Sequence, residues 1–203
     1  MAGSADGIVD LYSRRAPEWD ADRDKSLVEK AWLDAFLAHV PPDGSILDLG
    51  CGSGEPIARY LIEQGRGLTG VDAAPGLVDL CRRRFPDHDW RVADMRGLAL
   101  GRTFDGAIAW HSAFHLMPAD QRALFAVYAR HVAPGGVLMF TSGTDEGEAV
   151  GEWRGEPLYH GSLSAAEYRA ALEASGLDLL DHRTDDPETG GATVWLARAR
   201  LAA

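Results

Sequence analysis

Lysine is nearly absent from this 203-residue chain: Lys25 and Lys30 are the only two, and with arginine the basic residues reach 20 against 31 acidic ones. The formal charge of −11 and a pI near 5.0 leave no basic field for a nucleic-acid backbone, so no such partner is expected. Cysteine is scarce as well. Cys51 and Cys81 cannot build a disulfide scaffold, and a reducing, cytoplasmic compartment is the expected location. No run approaches the roughly 18 apolar residues that cross a bilayer, and Met1 to Arg15 has neither the basic start nor the apolar stretch of an export signal. No membrane association is therefore expected. Internal repeats, low-complexity tracts and dividing linkers are also missing, while 46% hydrophobic and 25% charged residues suffice for one ordinary core. Small molecules become the default partner.

What is present is an alternation of strand and helix patterns. Ser26 to Val40 carries Leu27, Val28, Ala31, Trp32, Ala35, Phe36 and Val40 at helical spacing, and Pro41-Pro42-Asp43-Gly44 ends it. Short apolar strands are expected at Ser45 to Leu49, Leu68 to Val71, Trp90 to Ala93, Phe104 to Trp110 and Val137 to Thr141, with helices between them at about 55–64, 75–84 and 119–131. Beyond 141 the sequence reads as a polar loop from Ser142 to Leu163, a helix at 165–175, and strands near 177–182 and 193–199. Such alternation implies an α/β, doubly wound, Rossmann-like sheet, mostly parallel and covered by helices on both faces. The organisation expected is one domain over 1–203. It comprises a cap segment and helix at 1–40, a cofactor-binding core at 45–141, a substrate-side loop at 142–163, and a C-terminal helix and strands at 164–203.

The first strand runs directly into Asp48-Leu49-Gly50-Cys51-Gly52-Ser53-Gly54. In a parallel sheet, ligands bind outside the carboxyl ends of the strands, and the first such loop usually holds the cofactor. A dinucleotide fingerprint needs a small residue three places after its second glycine. The two possible registers put Glu55 and Ile57 there, so both fail. The Gly-Lys-Ser/Thr ending of a Walker phosphate loop is missing. Polyphosphate cofactors are thereby disfavoured. Gly50, Gly52 and Gly54 allow close backbone approach, and Asp48 brings a carboxylate beside them, which suits S-adenosylmethionine, a ligand with an ammonium and a sulfonium but no phosphate. Asp72 ends the second strand where an acid accepting both ribose hydroxyls is expected. Asp94 ends the third, where it could accept from the adenine amine. A lone acid at a strand end often only caps the next helix, but three at successive strand ends beside a glycine loop are harder to explain that way.

On the residues Leu47 to Gly54, Gly70-Val71-Asp72, Val92-Ala93-Asp94-Met95 and Ala133-Pro134-Gly135-Gly136-Val137-Leu138, the chain resembles the class I S-adenosylmethionine-dependent methyltransferase superfamily. The resemblance covers about Ser45 to Thr141. It implies a seven-stranded sheet with the last strand antiparallel, Asp48 and the glycines against the methionine part, Asp72 on the ribose, and Asp94 with Met95 on the adenine, with Ala73 a further cofactor contact. His111 would lie near the transferring methyl, and the segment containing Tyr12 and Trp19 would cap the cofactor.

Methyl transfer is an in-line displacement at a carbon already activated by sulfur, so alignment in a site with little water is the main requirement. Where the nucleophile must lose a proton, His111 and His115 are the candidate bases. His115, Trp153, Tyr159 and His160 are the candidate acceptor contacts. No metal is expected: His111 and His115 are four apart, but the Glu of H-E-x-x-H and a third ligand are lacking. The function expected is methyl transfer to a small molecule. The alternatives are a non-catalytic module binding S-adenosylmethionine or S-adenosylhomocysteine, and a methyltransferase acting on protein or RNA.

Overall fold

Ser45–Leu49 forms β1 at the centre of the sheet, and its Ile46, Leu47 and Leu49 are fully buried. The computed structural model describes residues 5–201, so the expected domain limits at 1 and 203 lie outside the described residues. The remaining sheet strands are β2 (Gly67–Asp72), β3 (Asp89–Val92), β4 (Phe104–Ala109), β5 (Val132–Ser142), β8 (Leu177–Asp186) and β9 (Ala192–Ala199). Their order is β3-β2-β1-β4-β5-β9-β8, and β9 runs antiparallel to both its neighbours. Strand order reverses between β1 and β4, which opens a crevice above their carboxyl ends.

Side-chain alternation divides the core between two faces. Ile46, Ile108, Met139, Val194 and Leu196 point to one, where α3 (Lys30–Leu37), α4 (Ile57–Glu63) and α5 (Pro75–Arg84) pack. Leu47, Ala107, Leu138, Phe140 and Trp195 point to the other, against α6 (Pro118–His131) and α7 (Ala165–Ala174). A third, smaller cluster joins α1 (Ile8–Arg14) and α2 (Ala16–Asp22) to α5 through Ile8, Tyr12, Ala16, Ala74 and Leu77. This places two short helices over the crevice.

Three sequence expectations change. The polar loop at 142–163 is instead largely a hairpin of β6 (Gly147–Trp153) and β7 (Glu156–Ser162), turned by Arg154 and Gly155 at φ 51° and 79°. Two successive positive φ values match the twist of a two-residue hairpin turn. Four glycines and the exposure of β6 mask the strand period. The helix expected from Ser26 begins only at Lys30, because Leu27 adopts φ 58° and Ser26 is held by hydrogen bonds to Asp24. Finally, β5 starts at Val132, directly after α6, rather than at Val137. Among the described residues, no helix is long and apolar enough to cross a membrane.

Candidate active site

The loop after β1 is tied to the next strand: the Gly50 and Cys51 amides donate to the Val71 carbonyl at 2.7 and 3.1 Å. Gly50, Gly52 and Gly54 take φ values of 77°, 55° and 80°, where a side chain is strained. One Asp72 oxygen accepts the Gly52 amide at 2.9 Å and the other accepts the Ala74 amide at 2.8 Å. Burial raises the Asp72 carboxyl, while these backbone donors oppose the shift. Asp48 is 4% exposed, and burial followed by the charge of Asp72 pushes it up to about 7. Two carboxyl groups thus share the floor of the loop.

A cavity opens above this floor. Its walls bring together Gly50, Gly52, Asp72 and Ala73 from the sheet side, Tyr12 and Trp19 from the cap helices, and Asp94 with Met95 after β3. His111, Ser112, His115 and Leu116, which follow β4, complete it. Asp48 and Gly54 are not in the wall. A Cβ at Gly54 would meet Phe85 at 2.9 Å and Cys81 at 3.3 Å, so this glycine lets the loop pack against α5 from behind. The Asp94 carboxylate is engaged by Arg96, which holds it below the usual carboxylate range against the opposing effect of burial. Sequence reasoning missed Ile8, Leu77, Arg96 and Ser112 in this wall. Ser112 carried a usable signal, since it follows β4 directly. Its hydroxyl donates to the Leu49 carbonyl at 2.7 Å.

A second cavity, of about 430 Å³, lies beyond the first, and His111 lines both. Phe114, His160, the start of β6 and the turn at Gly190 and Gly191 complete it, with Asp145, Glu146 and Glu148 at its rim. His111 adopts φ 48° and its amide donates to the Thr141 hydroxyl at 2.8 Å. Loss of water around the ring, then the charges of Arg23 and His160, lowers its pKa to about 4, although the residue as a whole is exposed. Of the four expected acceptor contacts, His160 alone faces the second cavity. Trp153 packs edge-on against Trp19 at 5.7 Å and donates to Asp22. Tyr159 is buried and its hydroxyl donates to Glu148 at 2.8 Å. His115 lies on the first cavity with both ring nitrogens engaged.

Cap and hairpin grip each other across the site. Glu156 accepts from Arg14 and Arg15, both at 2.8 Å, and Asp22 accepts from Arg154 at 2.7 Å. Solvent-exposed pairs like these are weak and screened by salt. Glu156→Gln is therefore expected to speed ligand dissociation from the first cavity roughly threefold at low salt, with the difference vanishing near 1 M salt. Stopped-flow tryptophan fluorescence, reporting on Trp19, would follow this. No rate change at either salt concentration would show that the grip does not limit exchange.

Comparison with known proteins agrees with the fold. Residues 46–136 match the family described as methyltransferase domain. A malonyl-[acyl-carrier protein] O-methyltransferase of Serratia marcescens is 30% identical over 178 residues, covering 82% of this chain and 66% of that protein. A Streptomyces venezuelae dTDP-3-amino-3,4,6-trideoxy-alpha-D-glucopyranose N,N-dimethyltransferase is 29% identical over 108 residues, covering 52% of this chain and 45% of the relative. Burkholderia thailandensis 1,6-didemethyltoxoflavin-N1-methyltransferase, solved with S-adenosylhomocysteine, superposes with a TM-score of 0.72 at 21% identity over 97% of this chain and 87% of that one. Residues 46–136 thus resemble a methyltransferase domain, the kind of protein to which the sequence motifs pointed. The chain spans about half the length of several curated relatives it matches.

Proposed function

We propose that this chain transfers the methyl group of S-adenosylmethionine, by in-line displacement, to a small-molecule nucleophile. The observation that carries the reading is the meeting of two cavities at His111, one floored by the glycine loop and Asp72, the other open and of small-molecule size. The residues fit the donor. The two Asp72 oxygens lie beside the loop where a ribose diol would donate to them, no lysine or arginine sits in the loop to attract polyphosphate, and a Cβ at Gly50 would fill the cradle. Asp94 and Met95 flank the adenine end, and Tyr12 and Trp19 form the cover. When bound, the donor supplies a methyl carbon already activated by its sulfonium, and the chain's residues supply alignment and exclusion of water.

His111 is the proton acceptor in this reading. Neutral at physiological pH and lining both cavities, it is placed to receive the proton lost as the nucleophile bonds to the methyl carbon, although its lowered pKa makes it a weaker base. His160 and Phe114 contact the acceptor. The free thiols of Cys51 and Cys81 fit a reducing, cytoplasmic setting. Formation of S-adenosylhomocysteine, followed by mass spectrometry with amino-sugar, amine and phenol acceptors, tests the proposal. Turnover with at least one class is expected, falling roughly a hundredfold in His111→Ala. Tight donor binding with no product across the whole panel would point to a non-catalytic binding module.

A further inference from the structure

The hydrogen bonds of His115 determine where its proton sits. Its Nδ1 lies 2.8 Å from the Tyr159 carbonyl, which can only accept, so Nδ1 carries the hydrogen. Burial keeps the ring neutral, with a pKa lowered to about 4, and Nε2 is therefore a bare acceptor. The Tyr12 hydroxyl, 2.8 Å from Nε2, must be the donor. Tyr12 itself stays a phenol, because burial raises its pKa and Asp72 raises it further. Its single hydrogen is thus committed to His115, and only oxygen lone pairs remain for the cavity that both residues line.

The position of this bond matters. Segment 111–116 separates the two cavities: His111 opens on both, Phe114 on the second, and His115 and Leu116 on the first. Tyr12 reaches the partition from the cap, its ring edge-on to His115 at 5.4 Å. A donor bound there with its adenine near Asp94 has its reactive end at this partition, because the acceptor lies on the other side.

We propose that His115 is a positioning residue that turns the lone pairs of Tyr12 toward the sulfonium, so that the site favours the cationic methyl donor over its neutral product. The inference rests on reading the first cavity as the donor site. An oxygen that presents only lone pairs in a water-poor cavity attracts a positive centre and offers nothing comparable to a thioether. If its hydrogen were free to turn inward, the same hydroxyl would oppose the cation. His115 thereby converts an ambivalent group into an acceptor, and loss of the methyl group weakens the grip on what is left.

Calorimetric binding of S-adenosylmethionine, S-adenosylhomocysteine and sinefungin, which carries an ammonium near the sulfonium position, tests this without any acceptor. Tyr12→Phe is expected to weaken both cationic ligands roughly tenfold and leave the neutral product nearly unchanged. His115→Phe keeps the phenol but frees its hydrogen, and should lose the same discrimination. His115→Gln, with one donor and one acceptor group, should restore most of it. Equal weakening of all three ligands in Tyr12→Phe would indicate simple packing and overturn the proposal, as would discrimination surviving intact in His115→Phe. If the unsubstituted chain binds none of the three, the donor-site reading itself fails, an outcome distinct from equal weakening.

Discussion

Gly50→Ala is expected to lower S-adenosylmethionine affinity on the order of a hundredfold and to reduce thermal stability as well. Gly50 has φ 77°, a conformation that costs an alanine roughly 1–2 kcal/mol. The added Cβ would also stand 2.2 Å from the Ser112 Cβ and 2.8 Å from its hydroxyl. Ser112 cannot simply step aside, because its hydroxyl is bonded to the Leu49 carbonyl and its backbone belongs to the partition. Either the loop lifts from β2 or the partition moves toward the cavity, and both distort the cradle. Gly52→Ala is the natural control. Its φ is 55°, but the nearest atom to the added Cβ is Trp19 Nε1 at 3.8 Å, so strain remains without collision. Calorimetry on both variants should show Gly50→Ala as much the worse. Affinity for Gly50→Ala within threefold of the unsubstituted chain would mean that the loop does not form the cradle.

Asp48→Asn should have opposite effects on stability and on ligand binding. In the folded chain Asp48 titrates near 7, raised by burial and then by Asp72, whereas an unfolded aspartate titrates near 3.8. Between those values the folded state holds a proton that the unfolded chain has released. Stability therefore falls as pH rises through that window, and the full penalty is present above it. Its size is on the order of 4 kcal/mol for so large a displacement. Asparagine carries no such charge. The unliganded variant should melt roughly 5 °C or more above the original chain at pH 8, with little difference near pH 4. The same charge attracts the cationic donor. S-adenosylmethionine affinity should rise with pH around 7 in the original chain, be roughly tenfold weaker in Asp48→Asn at pH 8, and show a flatter pH profile there. Thermal melts and calorimetry at pH 5 and pH 8 would measure both effects. A variant less stable than the original at pH 8 would refute the charge argument.

Strands and glycines were legible because their signals are local. Ser45 to Leu49 is an uninterrupted buried run followed at once by glycines, and Asp72 and Asp94 follow at strand ends, so one pass along the chain locates them. The hairpin at β6 and β7 was not legible. Gly147, Gly151, Gly155 and Gly161 read as loop, and β6 is stabilised by pairing with β7 rather than by burial. The engagement of Asp94 by Arg96 was equally hidden, since two residues in sequence become an ion pair only through the turn after β3. Trp153 and Tyr159 are aromatic residues in the segment expected on the substrate side. Their rings nonetheless pack toward the cap and toward Glu148.

The sequence by itself determined the class of fold, pointed to the donor proposed, and marked the strand ends at which donor contacts are sought. Each depends on residues a few places apart, on spacing that excludes phosphate loops, and on apolar runs that must be buried. Tertiary structure alone decided that His111 stands between two cavities, that His115 is bonded through both nitrogens to Tyr12 and Tyr159, and that Asp48 lies beneath the loop rather than in the cavity wall. Those relations join groups as far apart as Tyr12, His115 and Tyr159. A hydrogen bond fixes the role of a histidine or a phenol only once its partner is in place, and the partner is delivered by the packing of the whole chain.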